Sequence, residues 1–141
     1  MDELRVLLVG DEREFLEILL KRLLKRGIKV AGASSGEEAI KIIKETPPDV
    51  VLLDVRLQGM DGIHTLREIK KIGPLVEVIM LTGHANLEIA VEGMESGAFD
   101  YLMKPTDVDE LLYKLEDAFK RKTIQEQKIR RLEKLKGSER G

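Results

Sequence analysis

Along the chain, five short apolar runs alternate with five segments whose apolar residues recur at helical spacing. The runs are Val6-Leu7-Leu8-Val9, residues 28–31, Val50-Val51-Leu52-Leu53, residues 76–81 and residues 99–103. The first, third and fourth are nearly continuous in leucine and β-branched residues. Strands read this way when helices cover both faces of a parallel sheet.

The intervening segments carry helix signals. Leu16, Leu19, Leu20, Leu23 and Leu24 form an i, i+3, i+4, i+7, i+8 stripe, and Gly27 stands where a C-terminal cap belongs. Ser35 with Glu38 has the spacing of a capping box, and Pro47-Pro48 ends the second helix. The third helix is expected over residues 62–72, closed by Gly73-Pro74. The fourth is expected over about 86–96, with Leu87, Ala90, Val91 and Met94 buried and Ile89 off that stripe. Thr106 or Asp107 can cap the fifth, whose buried stripe is Val108, Leu111, Leu112, Leu115 and Phe119. The expected fold is therefore α/β, a flavodoxin-like (βα)5 doubly wound parallel sheet in the order 2-1-3-4-5.

Helical spacing continues through residues 120–136, where Ile129, Leu132 and Leu135 are the strong apolar positions. Barely one heptad is present, so a solvated extension of the last helix is favoured over a dimerising or domain-linking helix. The expected division is a domain over residues 1–120 and a basic helical extension over 121–141 with a frayed end. Charge supports it: residues 120–141 hold nine Lys/Arg and three Asp/Glu, a net +6, which leaves −8 for residues 1–119 of the total −2.

Composition narrows the class further. With 43% hydrophobic and 35% charged residues the chain reads as a soluble globular protein, and with no cysteine there is no thiol or disulfide chemistry. Met1-Asp2-Glu3 lacks the basic start of a secretory signal, and no apolar stretch approaches the roughly 18 residues of a membrane span. A cytoplasmic protein without membrane contact is expected. The basic tail is short and holds no aromatic platform, so direct nucleic-acid binding is not expected.

In such a sheet the functional crevice lies beyond the carboxyl ends of the strands. There strand 1 delivers Gly10-Asp11-Glu12, strand 3 Asp54, strand 4 Thr82-Gly83 and strand 5 Lys104-Pro105. Core packing does not explain carboxylates, a hydroxyl and an ammonium at these positions. A carboxylate can attack a phosphoryl group, clustered acid oxygens suit Mg²⁺, and a Lys ammonium offsets charge on the transferring oxygens. Those chemistries together point to Asp54 as a phosphoryl acceptor.

Four segments then carry a resemblance: Val9-Gly10-Asp11-Glu12, the run from Leu53-Asp54 through Gln58-Gly59-Met60-Asp61-Gly62, Leu81-Thr82-Gly83-His84 and Tyr101-Leu102-Met103-Lys104-Pro105. In order and spacing they resemble the response-regulator receiver family of two-component signalling, over about residues 4–120. The resemblance implies that Asp54 takes its phosphoryl group from a sensor histidine kinase. It implies Mg²⁺ held by Asp11, Asp54 and the Arg56 main-chain carbonyl, with Glu12 as a weak further ligand. Thr82 and Lys104 would contact the phosphoryl group, and Tyr101 would turn with Thr82. The signal would pass to the face of helix 4, strand 5 and helix 5, and so to an output domain or a second copy, with the 120–136 helix a further contact. Arg56 and His84 would tune hydrolysis, and Lys104-Pro105 resembles the family's cis peptide. The long last helix is similar to that of receivers attached to AAA+ transcription activators.

Three positions depart from the family pattern. Gly10 stands where an acid is usual, which should weaken Mg²⁺ binding, and Gly10→Asp is expected to strengthen it. Gln58 replaces a proline and Gly83 an alanine. Beyond its own phosphorylation and dephosphorylation no enzymatic activity is expected. The competing readings are an adaptor that works without phosphorylation, which Gly10 would permit, and an aspartyl-phosphate phosphatase. Against the phosphatase, strand 1 does not end in Asp-x-Asp. His64 is read as a surface residue.

Overall fold

The computed structural model describes residues 3–56, 61–83, 87–104 and 107–140, with side chains to residue 137. Its elements alternate: β1 (Arg5–Val9), α1 (Arg13–Lys25), β2 (Lys29–Ala33), α2 (Gly36–Glu45), β3 (Val50–Asp54), α3 (Gly62–Ile72), β4 (Glu77–Thr82), α4 (Leu87–Glu95), β5 (Asp100–Met103) and α5 (Val108–Arg140). All pairings are parallel, in the order β2-β1-β3-β4-β5. This is the expected flavodoxin-like arrangement.

Strand alternation divides the core in two. Val6, Leu8, Leu52, Ile79 and Leu81 point to the side covered by α1 and α5, where Leu19, Leu23, Leu111, Leu115 and Ala118 meet them. Leu7, Val9, Val51, Leu53, Val78 and Met80 point the other way, against Ala39 and Ile43 of α2 and Leu66 and Ile69 of α3. Both faces of the three central strands are thereby dry, which is why their sequences are unbroken apolar runs.

Two buried stripes differ from expectation. In α1, Leu24 is exposed. The helix ends in a Schellman turn: Gly27 (φ 80°) donates to Leu24 O and Ile28 donates to Leu23 O. That turn carries Ile28 into the core, so β2 begins only at Lys29. In α4 only Ala90 of the expected stripe is buried. Leu87, Val91 and Met94 are 67%, 50% and 42% exposed, whereas Ala90 and Gly93 are buried and Ile89 packs on the core. The cause is close approach: a Cβ on Gly93 would lie 2.1 Å from the Met80 sulfur, so only small residues fit between α4 and β4.

α5 starts at an Asp107 cap, whose carboxylate accepts the Asp109 N–H at 3.1 Å, and runs unbroken past residue 120. Thr106, the other expected cap, lies outside the described residues, as do Gln58 and Pro105. Below the sheet α5 is clamped by ion pairs. Lys122 Nζ lies 2.5 Å from Asp49 Oδ1, and Arg121 Nε lies 3.2 Å from Glu77 Oε2. No helix among the described residues is long and apolar enough to cross a membrane.

Candidate functional site

The parallel register sets Asp54 beside Leu81 and Thr82 beside Met103, so β3, β4 and β5 end at one level. Backbone bonds continue just past the strands: Val55 N–H to Leu81 O (3.2 Å), Lys104 N–H to Thr82 O (2.8 Å) and Gly10 N–H to Ala33 O (3.0 Å). These hold the residues that leave each strand in fixed positions around a single crevice.

Asp54 is 1% exposed, and each of its carboxylate oxygens has a hydrogen-bond donor. Oδ1 accepts the Arg56 N–H at 2.9 Å, and Oδ2 accepts from the Lys104 ammonium. A buried carboxylate demands such a partner, because an isolated charge there would be strongly disfavoured. Lys104 has a second carboxylate, Glu12 Oε1 at 3.3 Å, and its ammonium lies 4.9 Å from the centroid of the Phe15 ring. Two residues at the start of α1 therefore help to hold a lysine from the end of β5.

Thr82 is 2% exposed, and its hydroxyl donates to Leu102 O over a long 3.5 Å. Tyr101 is half-buried, against the core on the α2/α3/α4 side. Asp11 and the Arg56 side chain are exposed. Asp11 and Gly10 also line a separate cleft of about 330 Å³ with Leu8, Leu16, Leu20 and Gly32, which does not include Asp54. His84 falls outside the described residues.

The structure thus joins Asp54, Lys104 and Glu12 by direct contact, and places Thr82 at the end of the adjoining strand. Glu12, expected as a weak further ligand of the metal, has its carboxylate against the Lys104 ammonium. Among the described residues no three His, Cys, Asp or Glu side chains form a metal cluster. The oxygens that the resemblance implies for a metal are the Asp11 and Asp54 carboxylates and the Arg56 carbonyl. That set fits Mg²⁺, which binds through one or two carboxylates and keeps several waters, rather than an ion needing an all-protein cage. Gly10 is crowded: a Cβ there would lie 3.2 Å from Asp54 Cβ and 3.3 Å from Leu16 Cδ2. An acid at this position therefore requires Leu16 to shift.

Sequence reasoning did not find the Phe15 and Glu12 contacts with Lys104. One signal was present, an aromatic residue one turn into a helix that starts at the crevice. The start of α3 falls where its sequence implied, at Gly62, but the cap itself was not anticipated: Asp61 Oδ1 accepts the His64 N–H at 2.8 Å.

Comparison with known proteins bears on the fold and the family. Residues 6–116 match the response regulator receiver domain. Over 117 residues the chain is 43% identical to the transcriptional regulatory protein ZraR of Escherichia coli (strain K12), covering 83% of this chain and 26% of that protein. The chain spans about a quarter of the length of the curated relatives it matches. The receiver domain of NtrX from Brucella abortus superposes with a TM-score of 0.79 at 35% identity, over 82% of this chain and 98% of that one. A crystal structure of adenylate cyclase from Rhodopirellula baltica superposes with a TM-score of 0.88 at 30% identity, over 95% and 99% of the two chains.

Proposed function

This chain belongs to the response regulator receiver domain family of two-component systems, and from that premise we propose that Asp54 accepts a phosphoryl group from the phosphohistidine of a sensor histidine kinase. The observation that carries the proposal is a buried strand-end carboxylate bound by the Lys104 ammonium. In the transfer an Asp54 oxygen forms the bond to phosphorus as the P–N bond of the donor breaks, and that electron pair leaves on the imidazole nitrogen. Lys104 remains as the counter-charge for the new phosphoryl oxygens. The Arg56 N–H fixes the orientation of the carboxylate that attacks. Asp11, Asp54 and the Arg56 carbonyl would hold Mg²⁺, which when bound neutralises charge on the transferring group.

Switching follows from what Thr82 gives up. Its 3.5 Å bond to Leu102 O is at the long limit, so a phosphoryl oxygen competes for that hydroxyl readily. Tyr101 lies on the next strand, opposite Met80, and turns as Thr82 moves. The outcome is a two-state bias of the α4–β5–α5 face, where Leu87, Val91, Met94, Met103 and Tyr113 stand exposed. That face would meet an output domain or a second copy, with Ile129, Leu132 and Leu135 of α5 as a further contact. Arg56 and His84 tune hydrolysis of the charged state. The chain works in the cytoplasm and catalyses only its own charging and discharge.

Phosphate release tests this against a phosphatase. With Mg²⁺ and an unrelated phosphomonoester the chain should release no phosphate, while acetyl phosphate charges it once. Sustained release from the monoester would overturn the reading.

A further inference from the structure

We propose that Glu12 is an internal counter-ion of Lys104, a positioning residue that holds the ammonium between two carboxylates and limits entry of anionic donors. This rests on the reading of Asp54 as the acceptor. Glu12 stands at the N-cap of α1, where Ser, Thr, Asp and Asn are the residues whose side chains cap the first turn, so its longer carboxylate is free to reach elsewhere. It makes no such cap bond, and its carboxylate lies instead 3.3 Å from Lys104 Nζ. Lys104 is held from four directions. Its backbone N–H is on Thr82 O, and its ammonium meets Asp54, Glu12 and the Phe15 ring. Glu12 and Phe15 both come from the start of α1, so one helix end builds half of this cage.

Charge then sets the consequence. The formal charges of Asp11, Glu12 and Asp54 sum to −3 against +1 each for Lys104 and Arg56, so these site residues total −1 before a donor arrives. A phosphoryl donor is itself an anion and meets this field at the mouth, where Glu12 is about half exposed. Once Asp54 is charged, Lys104 faces the more negative partner and Glu12 is repelled from the phosphoryl oxygens. Because Glu12 O also accepts the Leu16 N–H, its release bears directly on the first turn of α1.

The test combines three measurements. First, a metal-free urea double-mutant cycle of Glu12→Gln and Lys104→Met should show a coupling of about twofold to fivefold in the unfolding equilibrium. Second, Glu12→Gln should raise the second-order rate of charging by acetyl phosphate about threefold to tenfold at low salt, with the gain shrinking as salt is added. The Mg²⁺ Kd by calorimetry should stay within about twofold of the parent. Zero coupling, or an unchanged charging rate, overturns the proposal. So does a Kd weakened about tenfold or more, which would make Glu12 a metal ligand. The cycle needs no donor. A parent chain that takes up no phosphoryl group therefore counts against Asp54 as acceptor, while the coupling still decides the ion pair.

Discussion

A Cβ placed on Gly62 would lie 2.4 Å from Val55 Cα and 2.7 Å from Val55 O, so α3 begins hard against the backbone that follows Asp54. Backbone atoms cannot yield as a side-chain tip can. Gly62→Ala is therefore expected to cost about 3 kcal/mol or more, read as a lowered urea midpoint at unchanged slope. A loss below about 1 kcal/mol would show that the segment after Asp54 has room to move. At this scale the sequence was legible wherever a polar residue ends an apolar strand. Asp54, Thr82 and Lys104 stood out because nothing in core packing calls for them. The Glu12–Lys104 contact was not legible. It joins residues 92 apart and depends on which way a cap residue turns its side chain.

The elements were legible in proportion to how strongly local chemistry dictated them. Ser35 caps α2 as its spacing implied, accepting the Glu38 N–H at 3.1 Å, while the Glu38 carboxylate reaches one residue further back to the Ser34 N–H (3.0 Å) and hydroxyl (2.8 Å). Those two bonds, the backbone one foremost, hold the Glu38 carboxyl below its ordinary value of 4.5. A depressed folded-state pKa stabilises above the unfolded value, and that contribution is lost as pH falls through the folded one. Wild type should therefore exceed Glu38→Gln in urea midpoint at pH 7, with the gap closing as pH drops below about 4.5. A gap that stays constant with pH would remove the carboxylate from the cap. By contrast, α4 was misread because its large apolar residues form a convincing stripe. Space, not hydrophobicity, chose the buried face: the Met80 side chain of β4 closes against Gly93, and Ala90 is buried beside it.

On the scale of the whole molecule, strand order and layering were readable because right-handed crossovers leave few alternatives for alternating strands and helices. The anchoring of α5 was not readable, since it pairs the far end of the chain with acids at the opposite strand ends. Asp49 at the foot of β3 accepts the Arg5 N–H at 2.8 Å and pairs with Lys122, both side chains being largely buried. Lys122→Met would leave that carboxylate with the backbone donor alone, and should cost about 1–3 kcal/mol in urea unfolding. An unchanged midpoint would mean that the Lys122–Asp49 pair adds nothing to the fold. The clamp holds the +6 segment in line with the helix that covers the core, so the proposed change at the α4–β5–α5 face would have a rigid element to move. All of this presumes that the crevice is charged at Asp54. The most direct measurement is intact mass after incubation with acetyl phosphate and Mg²⁺. The parent chain should gain a single phosphoryl group that is absent in Asp54→Asn and prevented by EDTA. Equal uptake by Asp54→Asn, or none by the parent, would contradict the account.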